Sequence, residues 1–331
     1  MQVQFTSLKD VRRNKKKKWP RIAFDVIFVV FIITNVISLY IGNNYYKKIF
    51  EINTKTDLDQ YETYKSTFNE RRFSDIQREE VSVASKNNYK LYGTYIKNPK
   101  ATNNTIILLH RLGGSRWSSM KYTDMYLDKG FNVLVYDGRH HGYSGGDNVT
   151  YGFYEKDDLD KWVDWVYRKN KGGIIGVHGE STGAAAALLH SKINENKKKV
   201  SFYIADSAFS DLNEFFTIRI KQDYNLKSNL LIKPLIFYID KINKLKNGFY
   251  LTEVSPINIV GNIKTPIMFI HGANDTYVPK TMSEDLYKAK SGTKQIYIAP
   301  ASDNNEAYLN NQDEYRDRVY TFIDSVISIN N

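Results

Sequence analysis

One stretch constrains this chain more than any other. The apolar run Gly173-Ile174-Ile175-Gly176-Val177 leads into His178-Gly179-Glu180-Ser181-Thr182-Gly183 and then Ala184-Ala185-Ala186-Ala187-Leu188-Leu189. A buried strand passing through G-x-S-x-G into an Ala-rich helix predicts a nucleophile elbow, a sharp turn that holds a serine hydroxyl above a sheet. The glycines are needed where strand and helix backbones pass too close for a Cβ. The motif alone is weak; the strand before it and the helix after it make it specific.

The 331 residues give room for one large α/β domain or two smaller ones. There is no cysteine, which excludes disulfides, thiol catalysis, cysteine-ligated zinc and a lipidated cysteine anchor. The net charge of +11 is concentrated: residues 1–21 hold eight Lys and Arg against Asp10, or +7, leaving +4 for the rest. No basic stripe remains to follow a phosphate backbone, so nucleic acid is not an expected partner.

The basic segment abuts residues 22–41, a stretch dominated by Ile, Val, Phe and Leu and long enough to cross a bilayer as a helix. Asp25 and Asn35 interrupt it. A charge at the bilayer centre costs roughly 2.5–3.5 kcal/mol on insertion scales, but Asp25 falls within a turn of Arg21, at headgroup level. A cleaved signal peptide fits poorly, because the apolar run is long and Ile41-Gly42-Asn43-Asn44 offers no small-residue cleavage site. The expectation is an uncleaved signal-anchor with residues 1–21 in the cytoplasm and the remainder outside the cell membrane.

Residues 43–80 are polar and free of Pro and Gly, which predicts a helical stalk whose aromatic residues pack on the domain that follows. From residue 81 onward, short apolar runs alternate with helical patterns. The runs are Tyr89–Ile96, Thr105–Leu109, Asn132–Tyr136, Gly173–Val177, Val200–Ala205, Pro266–Ile270 and Lys294–Ile298; Tyr154–Arg168 has helical spacing. This alternation predicts an α/β fold with a mainly parallel, doubly wound sheet. The interruption at 210–259 is too long for a simple crossover and predicts a mostly helical cap that shapes an apolar acyl pocket.

Four blocks, in this order, carry a family resemblance. They are Leu108-Leu109-His110-Arg111-Leu112-Gly113-Gly114-Ser115, Asp137-Gly138-Arg139-His140-His141-Gly142-Tyr143-Ser144-Gly145-Gly146, the elbow, and Ile270-His271-Gly272-Ala273-Asn274-Asp275-Thr276-Tyr277-Val278-Pro279. Residues 81–331 thereby resemble the α/β-hydrolase superfamily, in particular bacterial membrane-associated serine hydrolases of the esterase type. The resemblance implies Ser181 as nucleophile, Asp275 as the acid that orients the base, and backbone N–H groups of Leu112 and Thr182 as the oxyanion donors. It implies no cofactor or metal, and a small-molecule ester or acyl substrate, hydrophobic in character.

The base is the departure. In such hydrolases a histidine follows the last strand; by resemblance to the A-x-H-A-x-x-Y pattern, Asn304 occupies that position here. Asparagine can hydrogen-bond an aspartate but cannot take up a proton near neutral pH. Arg111 is a second departure, at a position where glycine is usual. None of the six histidines lies beyond His271. His110, His178 and His271 fall at strand ends and read as structural, His140 and His141 as loop residues, and His190 as surface or packing. Two readings stay open: a serine ester hydrolase acting through an acyl-enzyme, and a pseudohydrolase that binds a ligand or partner in the same pocket. A peptidase of related fold is a third. The sequence says nothing of oligomeric state.

Overall fold

Five strands buried at every position explain the continuous apolar runs, since a parallel strand covered on both faces has no side for water. They are the centre of an eight-stranded sheet in a computed structural model that describes residues 8–52 and 76–330. The strands are β1 Arg78–Ala84, β2 Lys90–Ile96, β3 Thr105–Leu109, β4 Asn132–Tyr136, β5 Ile175–Glu180, β6 Phe202–Asp206, β7 Ile267–Gly272 and β8 Lys294–Ala299. Their spatial order is β1-β2-β4-β3-β5-β6-β7-β8. β2 pairs antiparallel with β1 and with β4, and all other pairings are parallel.

Helices cover both faces. Trp162, Ala184, Leu188 and Leu286 come from helices on one side, and Tyr126, Tyr315 and Phe322 from helices on the other. Because β3 lies between β4 and β5, chain order reverses there. The connections leaving the carboxyl ends of β3 and β5 diverge and open a crevice at this switch point.

β1 departs from the sequence expectation. It starts at Arg78, inside the segment expected to be stalk, and the residues from 76 onward lead directly into the sheet. As the edge strand it buries only Val81 fully, so it carries no apolar run to betray it. Residues 53–75 of the expected stalk lie outside the described residues. β5, β6 and β7 also extend one to three residues past the apolar runs, taking in His178, Gly179, Glu180, Asp206, His271 and Gly272. These carboxyl ends are polar yet buried, and they floor the crevice.

The amino-terminal helix runs unbroken from Leu8 to Phe50. From Trp19 it is long and apolar enough to cross a membrane, and its apolar side chains up to Tyr40 are exposed. Its last turns are different. Tyr45, Tyr46, Ile49 and Phe50 are buried in a third apolar cluster with Phe216, Ile239 and Phe249. The latter residues come from the segment between β6 and β7, which forms two helices, Leu212–Asp223 and Asn229–Asn247, and two short turns of helix. Tyr45 Oη and Lys48 Nζ both bind Asp223, and Asn247 donates to Tyr46 Oη at 2.8 Å. Residues 43–50 are therefore an integral part of the cap.

Phe50 is fully buried and meets Tyr151, Phe216 and Phe249 edge-on at centroid distances of 5.3–6.4 Å. Phe50→Ala leaves a cavity and is expected to lower unfolding free energy by about 3–5 kcal/mol. Leu309→Ala, at an exposed site, is expected to change it by less than about 0.5 kcal/mol. Denaturant titration of the detergent-solubilised chain checks both.

Candidate active site

Ser181 sits at φ 54°, ψ −113°, a left-handed backbone that a non-glycine residue adopts only at a cost of about 1–3 kcal/mol. The strain is held from both sides. Ser181 N–H extends the β5–β6 ladder by donating to Asp206 O at 2.7 Å, and Ser181 O accepts from Ala185 N–H as the helix Thr182–Lys197 begins. A Cβ on Gly179 would lie 2.3 Å from Gly183 O, and one on Gly183 would lie 2.7 Å from the carbonyl oxygens of Leu109 and His110. Backbone cannot yield there, so both positions require glycine.

The loop after β3 carries Leu112 beside the elbow and is pinned by two histidines. His110 Nε2 accepts Gly138 N–H at 2.8 Å, so its Nδ1 carries the proton and donates to Arg111 O at 2.7 Å. His141 repeats the arrangement: Nε2 accepts Gly113 N–H at 3.1 Å and Nδ1 donates to Arg139 O at 2.8 Å. Burial pushes the two rings down to pKa values of about 4 and about 3, opposed by their backbone hydrogen bonds. Both are neutral at physiological pH with each ring nitrogen occupied. The left-handed turn of this loop falls at Gly113, φ 70°, while Arg111 keeps an ordinary backbone and an exposed side chain. The arginine thus fits without distorting the loop.

Asp275 follows β7. Its Oδ1 accepts the N–H groups of Tyr277 and Val278 at 2.9 and 2.8 Å. Its Oδ2 accepts Asn304 Nδ2–H at 2.6 Å and lies 3.1 Å from His271 Nε2. His271 is fully buried, with Nε2 also facing Val278 O and Nδ1 at 2.7 Å from Ser283 Oγ, so it braces the acid loop from below. Asn304 stands in the loop after β8. Its Oδ1 accepts the side-chain amide of Asn305, which leaves its amide engaged at both ends.

Ser181, Leu112 and Asn304 line one open pocket of about 460 Å³, together with Arg111, Thr276, Tyr277, Asp303, Asn305 and Glu306. No histidine is in that lining. A second, tight pocket of about 40 Å³ also borders Leu112 and Thr182, walled by Val149, Tyr151, Gly183 and Ala186. Leu112 belongs to both. Four of the five site residues expected from sequence therefore border these spaces, and Asp275 reaches them through Asn304.

Sequence reasoning passed over Glu180, the variable residue before the serine. It is buried, its carboxyl is pushed up by burial, and Lys121 Nζ holds it at 2.5 Å. Lys121 also lies 3.4 Å from Asn305 O, which links the elbow to the Asn304 loop. Nothing in the sequence joins positions 121, 180 and 305. His178 and His190 are both buried: His178 lies between the hydroxyls of Tyr126 and Tyr315, and His190 contacts Tyr203 Oη at 2.7 Å. Both serve packing.

The sequence profile of the family described as Serine hydrolase (FSH1) matches residues 119–301, more than half of the chain. The Bacillus subtilis (strain 168) protein YqkD, described as uncharacterized, is 37% identical over 298 residues, covering 89% of this chain and 95% of its own. Among solved structures, the Pyrococcus furiosus esterase Pf2001 superposes with a TM-score of 0.61 at 25% identity, over 77% of this chain and 96% of the esterase. XC6422 from Xanthomonas campestris, described as an a/b serine hydrolase without lid, gives a TM-score of 0.53 at 15% identity, over 75% of this chain and 94% of its own. That likeness speaks to the fold alone. With the parallel sheet and the strained serine turn, these matches identify the chain as a member of the Serine hydrolase (FSH1) family with the α/β-hydrolase fold.

Proposed function

We propose that this chain is a membrane-anchored serine ester hydrolase by design whose own turnover is slow, because Asn304 holds the place of its general base. The observation that carries the reading is the 2.6 Å hydrogen bond from Asn304 Nδ2 to Asp275, the contact a catalytic histidine would make. The acid loop is intact, yet the group it orients has no basic lone pair.

Ser181 Oγ attacks the ester carbonyl, a carbon–oxygen bond forms, and the carbonyl oxygen becomes an oxyanion. Leu112 and Thr182 N–H are suited to receive it, Thr182 being the first residue of its helix. The hydroxyl proton has no histidine to go to and must leave to water or to the substrate. His110 and His141 do not replace it, since their ring nitrogens are committed to the loop. Collapse of the tetrahedral species then favours esters over amides: an alkoxide can depart unprotonated, whereas an amine needs a proton that Asn304 cannot deliver. This argues against a peptidase. The apolar walls and small volume of the second pocket suit a short hydrophobic acyl group. The anchoring part of the reading is supported by the exposed apolar helix beside the basic residues 1–21, and the positive-inside rule then argues for a catalytic domain outside the cell.

Oxyanion donors and binding alone are worth roughly 10³–10⁴ over water. With a short-chain nitrophenyl ester and the full chain in detergent, Asn304→His is expected to raise kcat/KM at least about a hundredfold, within the 10²–10⁴ typical of a positioned base. Ser181→Ala in the same background is expected to remove the gain and abolish labelling by a fluorophosphonate. A rate already typical of hydrolases in the unmodified chain, or no Ser181-dependent gain in Asn304→His, sinks the assignment.

A pH profile gives an independent check. The Asn304→His variant is expected to gain an ascending limb near the ordinary histidine pKa of ~6.5. The unmodified chain is expected to lack it, because burial holds His110 and His141 at about 4 and about 3.

A further inference from the structure

The helix Asn229–Asn247 buries Ile232, Leu235, Ile236 and Ile239 against the cap and the amino-terminal helix. Its opposite face is mixed, with apolar side chains interrupted by lysine. Leu230, Pro234, Phe237, Lys241 and Leu245 recur at three- and four-residue spacing and so form one stripe. Leu230 is 78% exposed, Phe237 53% and Leu245 88%, with Leu231 beside them at 57%. A soluble enzyme rarely leaves such a row in water.

The neighbouring helix indicates what covers part of this row. Tyr238 Oη donates to Asn35 Oδ1 at 2.7 Å. Asn35 lies inside the apolar stretch 22–41, six residues before Ile41, or about 9 Å along the axis at 1.5 Å per residue. Gly42 lets the two helices touch: a Cβ there would lie 3.2 Å from Tyr238 Cβ and 3.3 Å from Leu235 O. Farther on, Asn247 binds Tyr46 and Lys246 binds Glu51. The helices therefore run in the same direction. The amino end of the cap helix, with Leu230 and Leu231, points back along the apolar stretch, and its carboxyl end points toward the catalytic domain.

We infer that the first half of this helix, Asn229 to Tyr238, is a second membrane contact, immersed in the outer leaflet of the bilayer that the amino-terminal helix spans. The inference rests on the anchoring reading above and deepens it. A polar side chain within a spanning segment is costly unless a neighbouring helix partners it, and Tyr238 partners Asn35. The Tyr238 hydroxyl thus reaches about 9 Å inside the apolar stretch, and the residues before Tyr238, on a helix running alongside it, lie in the same apolar layer. Lys227 and Lys233, both exposed, can extend their ammonium groups to lipid phosphates while their stems stay in the apolar layer. The cap does not itself line the second pocket, contrary to the sequence expectation, but Val149 and Tyr151 of that pocket's wall pack in the same apolar cluster as the cap helix, which links the pocket to the lipid phase. The substrate class that follows is an ester presented by the membrane rather than one dissolved in water.

The cysteine-free sequence makes the test direct. Single variants Leu230→Cys, Phe237→Cys and Leu245→Cys of the full chain are labelled with a bimane fluorophore. They are reconstituted in vesicles of phosphatidylglycerol and phosphatidylcholine, with and without acyl-chain-brominated lipid. Phe31→Cys reports the spanning helix and Tyr167→Cys the far side of the domain. The expected result is strong quenching at positions 31 and 230, weaker quenching at 237, and none at 245 or 167. Quenching at 31 with 230 and 237 behaving like 167 overturns the second contact and leaves the anchor standing. No quenching at 31 overturns the anchoring reading and this inference with it. A blue-shifted emission at 230 without quenching means that protein, such as a second copy of the chain, covers the stripe, which also overturns it.

Discussion

The whole arrangement depends on the absence of two Cβ atoms. Gly179 and Gly183 let the strand entering Ser181, the helix leaving it and the carboxyl end of β3 occupy one small volume. That close approach forces Ser181 into a left-handed backbone. It also brings Thr182 beside the Leu112 loop, so the same contact that strains the serine brings together the residues expected to bind an oxyanion. Strain of about 1–3 kcal/mol is tolerable because the buried central strands of the sheet over-determine the turn.

The remaining polar groups in this region divide into those that hold loops and one that would do chemistry. His110, His141, His178 and His271 are all buried and engaged through both ring nitrogens, and three of them brace a loop that borders the crevice or supports Asp275. Burial lowers the pKa of His110, His141 and His178, so these three stay neutral and are lost to proton transfer. Under the proposed assignment, the histidines around the serine do not stand in for a base at 304. On that assignment, Asn304 keeps the shape of the base–acid contact and forfeits its function: an amide donates to Asp275 as an imidazole would, but its other end is an oxygen without useful basicity.

Much of this was legible in the chain. The central strands announced themselves because parallel strands buried on both faces are apolar throughout, and the elbow because glycine, serine and alanine are each demanded by a different contact. Asn304 could be placed by pattern, and Asp275 binds it in the structure. What stayed hidden had weak or non-local signals. β1 is an edge strand with only Val81 fully buried. The Lys121–Glu180–Asn305 link joins residues remote in sequence. Residues 43–50 were legible in part: a helical stalk with its aromatic residues packed on the domain was expected, and Tyr45, Tyr46, Ile49 and Phe50 form one helical face of the cap core.

That last point changes how the protein's parts relate. If residues 43–50 were a flexible tether, the catalytic domain could sit at any angle above a membrane. Instead the helix that begins at Leu8 continues without a break into the cap, where Phe50 is clasped by three aromatic rings and Asp223 and Asn247 bind Tyr45, Lys48 and Tyr46. A helix transmits orientation as well as position, so fixing its apolar half in a bilayer would fix the cap and the crevice beneath it. An enzyme whose substrate diffused in from solution would gain nothing from this rigidity. One that took its ester from the lipid phase would need it.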